Sequence, residues 1–130
     1  MMSQTEIGPR RGLLIIDHGT RSADANAKLG AFARSVARRR SDWLVEHAHM
    51  EFGSPDFDAA LASLVARGAT EVFVHLHFLG AGFHVRESIP ALVAAGRERH
   101  PGISISTGEP LGEDERLVQI VLDRMDERIG

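Results

Sequence analysis

The 130-residue chain has the size of a single domain, and 43% hydrophobic against 25% charged residues is enough apolar sequence to close a core. Its net charge of −3 offers no electrostatic footprint for nucleic acid or an anionic membrane. Cysteine is absent, which excludes disulfides, thiolate zinc sites, iron–sulfur clusters and cysteine nucleophiles, and leaves His, Asp and Glu for any metal.

No apolar run is long enough for a membrane span, and the leader "MMSQTEIGPRR" lacks the apolar segment of a signal peptide. Residues 1–11 are therefore expected as a flexible tail before one domain at 12–130, in a cytoplasmic protein. Basic charge is almost all arginine, with Lys28 the one lysine, a bias that genome composition accounts for.

"GLLIID" (12–17) is a short apolar run that reads as a buried strand. In "SADANAKLGAFARSVARRR", Leu29, Phe32, Ala33 and Val36 recur at helical spacing, and Arg38–Arg40 suit the negative end of the helix dipole. "DWLVEHAHME" (42–51) is the second strand. "SPDFDAALASLVARG" reads as a helix capped by Ser54, with Pro55 in the first turn, a stripe of Phe57, Leu61, Leu64 and Val65, and Gly68 as its end.

"EVFVHLHFL" (71–79) is the third strand, rich in β-branched and aromatic residues. A helix is expected over roughly 86–99, carrying Ile89, Leu92 and Val93, then a strand at 102–107. The last helix, about 114–128, gathers Leu117, Val118, Val121, Leu122 and Met125 on one side. Strict alternation of strand and helix predicts a four-stranded parallel sheet flanked by helices on both faces, a flavodoxin-like α/β fold.

In such sheets ligands collect outside the carboxyl ends of the strands. His18 follows the first strand, Glu51 the second, and His84 comes after the third beyond a Gly-Ala-Gly turn; each step is 33 residues, about one strand–helix unit. Parallel topology returns all three to one edge, where two imidazoles and a carboxylate suit Co, Ni, Fe or Zn rather than Mg or Ca. Taken singly, His18 could cap a helix or bond a carbonyl, and Glu51 could be a solvated loop carboxylate. His75 and His77 share one strand face, as do His47 and His49. His47 and His75 read as a polar patch beneath a helix or at a subunit contact. His77, nearer the strand outlet, is kept as a possible additional site residue.

"LLIIDHGTRSADAN", "AHMEFGSPDFDAAL" and "FLGAGFHVRESIPAL", followed by "HPGISISTGEPLG", resemble the small sirohydrochlorin chelatases of the CbiX/SirB type over nearly the whole chain from Gly12. The resemblance implies insertion of a divalent metal, Co2+ foremost and otherwise Fe2+ or Ni2+, into a tetrapyrrole without ATP and without an organic cofactor. It places metal handling on His18 and His84 and a site carboxylate on Glu51. It also implies a homodimer, since the family includes both short chains and double-length chains with two such domains. Arg21, Arg86 and the backbone at Gly80 and Gly82 are then candidates for the carboxylates of the macrocycle. "HLHFL" departs from the family pattern, where a proline or aliphatic residue is expected before "FL".

Three other readings are weaker. A non-catalytic metal or tetrapyrrole carrier would share fold and residues. A histidine phosphatase would need a cation where Asp17 stands, and a dinucleotide site would need a third glycine in "GAGFHV".

Overall fold

The computed structural model describes residues 10–80 and 82–129, with His84 described by its backbone. The elements run β1 (Arg11–Asp17), α1 (Ala23–Arg39), β2 (Leu44–His49), α2 (Phe57–Ala66), β3 (Glu71–Leu76), α3 (Phe83–Arg99), β4 (Ser104–Thr107), a 3-10 turn (Leu111–Glu113) and α4 (Arg116–Arg128). The sheet order is β2-β1-β3-β4 and every pairing is parallel. Arg11 already belongs to β1, and Arg10 bonds Thr70; residues 1–9 of the expected tail lie outside the described residues.

The all-apolar sequence of β1 is explained by its central place, with both faces covered. Leu14 and Ile16 turn toward α2 and α3, where they meet Ala48, Val72, Val74, Leu76, Phe57 and Leu64 in the main core. Ile15 turns the other way, toward Leu29 and Ala33 of α1. Burying side chains of this size contributes about 1.5–3 kcal/mol each, so the α2/α3 side carries most of the apolar stabilisation.

Three boundaries differ from the sequence expectation, each for a local reason. The cap of α2 is Asp56, whose carboxylate accepts from the Ala59 N–H at 2.9 Å, rather than Ser54. Pro55 cannot be the first turn because its carbonyl is taken by the His49 N–H at 2.9 Å, and the Ser54–Pro55 bond is cis. Helix α3 starts at Phe83 rather than near 86, because the Gly82 carbonyl already accepts the Arg86 N–H at 3.0 Å. Helix α4 has the expected period, but none of its residues is buried; Val118, Val121 and Met125 are each more than half exposed. Among the described residues no helix is long and apolar enough to cross a membrane.

Candidate metal centre

The hydrogen bonding of the sheet continues past the strands and zips three loops together. The Ile16 carbonyl accepts from the His77 N–H at 2.8 Å, Asp17 from Met50 at 2.9 Å, and His18 from Glu51 at 3.0 Å. The last of these joins the two loops that carry His18 and Glu51, both exposed at the strand-end rim. Gly19 makes the approach possible. Its φ of +83° is costly for any L side chain, and a Cβ there would overlap the Glu51 carbonyl.

The β1–α1 loop is rigid through its own bonds. Asn26 Oδ1 accepts from the Thr20 N–H at 2.9 Å, and Asn26 Nδ2 donates to the Thr20 carbonyl at 2.8 Å. Ser22 caps α1 by accepting from Ala25 at 3.2 Å. His18 precedes this hydrogen-bonded loop, and its ring meets Phe78 edge-on at 6.1 Å.

Behind the rim, His49 is 1% exposed and its Nδ1 lies 2.6 Å from Asp17 Oδ1. A carboxylate only accepts, so Nδ1 carries the hydrogen and donates it. This pair locks β1 to β2 one residue before His18. Sequence reasoning did not find it: His49 reads as one of a strand's histidines, and only the register pairing Asp17 with His49 brings the partner alongside.

The other predicted residues fall as follows. His84 lies in the first turn of α3, just after the Gly82 cap; its side chain is outside the described residues. Gly80 and Gly82 are exposed in the approach to that helix. Arg21 stacks 4.3 Å above the Phe52 ring and borders a cleft of about 360 Å³ with His47 and His49. Arg86 is exposed and borders a smaller cleft of about 200 Å³ with Glu109 and Glu113. His77 points to the α1 side, its ring 4.6 Å from Phe32, whereas His18 contacts Phe78 of the opposite core. Among the described residues no three His, Asp or Glu side chains converge as a metal cluster, and His84 is not among the side chains described.

Phe52 was not anticipated at the rim. It is 56% exposed with φ +61°, and Leu79, after β3, and Phe83, at the start of α3, are 78% and 71% exposed. These apolar side chains flank the polar groups, a combination suited to a flat, partly apolar ligand with charged edges. Burial, followed by the neighbouring His49, lowers the pKa of His47; burial also lowers those of His75 and His77.

This four-stranded parallel sheet with its connecting helices belongs to the class of open α/β folds. Within that class the chain belongs to the CbiX family, whose profile matches residues 12–128. It is 35% identical over 119 residues to the chloroplastic sirohydrochlorin ferrochelatase of Arabidopsis thaliana, covering 92% of this chain and 53% of that one. It is 29% identical to the sirohydrochlorin cobaltochelatase of Methanococcoides burtonii, covering 87% of this chain and 92% of that one. Among solved structures it resembles the sirohydrochlorin chelatase SirB from Bacillus subtilis subspecies spizizenii in complex with cobalt, with a TM-score of 0.82 and 29% identity over 92% of this chain and 51% of that one. The chain thus spans about half the length of the Arabidopsis and Bacillus proteins and nearly all of the archaeal one.

Proposed function

We propose that this protein is a sirohydrochlorin chelatase that inserts a divalent metal, Co2+ foremost with Fe2+ or Ni2+ as the alternatives, without ATP. The observation that carries the reading is the rim itself. The His18 carbonyl and Glu51 N–H bind the first two loops together, and α3 opens the third strand's crossing with His84 in its first turn. Relatives of both the cobalt and the iron type support the reaction class.

In this reading neutral His18 and His84 hold the incoming ion, since metal ligation needs the unprotonated imidazole. Glu51 accepts a proton as the two inner pyrrole N–H groups are lost, or completes the metal's shell. Arg21 and Arg86 pair with carboxylates of the macrocycle, assisted by backbone N–H groups at Gly80 and Gly82. Phe52, Leu79 and Phe83 cover its apolar surface.

The same reading makes the working unit a homodimer. Helix α4 leaves an apolar stripe of Val118, Val121, Leu122 and Met125 exposed, and in this reading a second copy covers it.

The test is anaerobic addition of sirohydrochlorin and buffered Co2+ to a substoichiometric amount of protein, followed by absorption spectroscopy. Many product molecules per chain are expected. A yield that stops at one per chain identifies a carrier, and no spectral change above the uncatalysed rate rejects both.

A further inference from the structure

The α1 side of the sheet holds a pair of imidazoles that the rim chemistry does not use. His75 in β3 and His77 just past its end stand two apart, and His75 Nε2 lies 3.1 Å from His77 Nδ1. Their ring centroids are 5.3 Å apart and tilted by 59°, so the rings meet edge to edge at those two nitrogens rather than stacking. Phe32 fixes the outer face of His77 at 4.6 Å. We propose that His75 and His77 form a second divalent-cation site, separate from the strand-end rim and open to water.

The spacing fits. Two nitrogens bonded to one ion at about 2.0–2.1 Å, as imidazole is to first-row metals, and 3.1 Å from each other subtend about 95–100° at the ion. That lies between square and tetrahedral. With one hydrogen shared between the rings, ion binding needs a change of tautomer and a turn of the rings toward a common ion. The hydrogen on His75 Nε2 or His77 Nδ1 moves to the other nitrogen of its own ring, and no net proton is released.

Two further features favour a cation there. His75 borders a cleft of about 420 Å³ that also carries Glu109, Glu113 and Asp114. Its one arginine, Arg116, is committed to Asp114 at 2.7 Å, so the two glutamates set the sign of the opening.

Among the described residues no third His, Asp or Glu completes this pair into a closed cluster. The ion therefore retains water, binds weakly and exchanges fast. Imidazole donors select Co2+, Ni2+ or Cu2+ over Mg2+ and Ca2+. Use of the site as a loading point for metal insertion rests on the chelatase reading; the site itself does not.

Equilibrium dialysis of the full chain against Co2+ tests it. The wild type is expected to bind one more ion per chain than His75→Gln or His77→Gln, and His84→Ala is expected to keep that ion. Unchanged stoichiometry in both glutamine variants overturns the proposal. As a check that needs no variant, substoichiometric Co2+ should broaden the ring-proton NMR signals of His75 and His77 in the wild type, and sharp signals overturn it. Loss of an ion in the glutamine variants with none lost in His84→Ala supports this site and counts instead against the rim ligands.

Discussion

The two faces of the sheet are built from the same strands and have opposite characters. Toward α2 and α3 the strands present Leu14, Ile16, Ala48, Val72, Val74 and Leu76, all buried and apolar. Toward α1, β1, β2 and β3 with the residue after it present Asp17, His47, His49, His75 and His77, and among the described residues the apolar cluster there has Ile15, Leu29 and Ala33 as its buried members. The alternation of side chains along a strand lets one segment serve both purposes. One face secures the fold, and the other can hold groups that would be costly in a dry core.

The largest expected effect breaks the apolar face. Leu14→Ala, at a fully buried position, should cost about 2–5 kcal/mol in urea unfolding. His47→Ala, half-buried on the α1 side, should cost about 1 kcal/mol or less. Similar losses for the two would mean that the faces do not divide the work as described.

Next in size is the pair that ties the α1 face to the rim. His49→Ala removes the donor held by Asp17 and leaves a cavity, and it should cost about 1–3 kcal/mol. His49→Asn, which can still offer an N–H, should recover part of that in the same unfolding assay.

A pH series sharpens the contrast further. His47, His75 and His77 have pKa values lowered in the folded chain, so the unfolded chain binds more protons as acidity rises. Their contribution is present above the ordinary value of about 6.5 and is lost as pH falls toward and through the lowered values. Melting temperature should drop from pH 8 to pH 5, and His75→Gln with His77→Gln should flatten that slope.

The smallest effect on the single chain is expected at α4. Val121→Asp lies at an exposed position of an unburied helix, so circular dichroism should stay unchanged. Sedimentation should nevertheless show the proposed dimer reduced to monomer, while a variant that remains dimeric would place the contact elsewhere.

Much of this was legible from residues. The alternation of apolar runs and helical stripes predicted the parallel sheet, and equal spacing of 18, 51 and 84 predicted a shared edge. The loop bond joins His18 to Glu51, and the side chain of His84 lies outside the described residues. Helix starts were less legible, because "SPD" offers Ser54 and Asp56 as competing caps and a tertiary bond to Pro55 decides between them. Phe52 was hidden because its left-handed backbone has no sequence signal beyond the following glycine. The face chosen by His77 follows from strand alternation, yet its distance from His18 depends on which core each ring enters. The apolar stripe of α4 was plain in the sequence; periodicity states that a stripe exists and not what covers it.

The most direct measurement is the steady-state rate of Co2+ insertion into sirohydrochlorin by the wild type, His18→Ala and His84→Ala, each with its unfolding curve. Loss of one imidazole's ligand and base roles predicts a rate lower by at least about 100-fold in each variant, with stability nearly unchanged. A wild-type rate in either variant would contradict the assignment of metal handling to the rim.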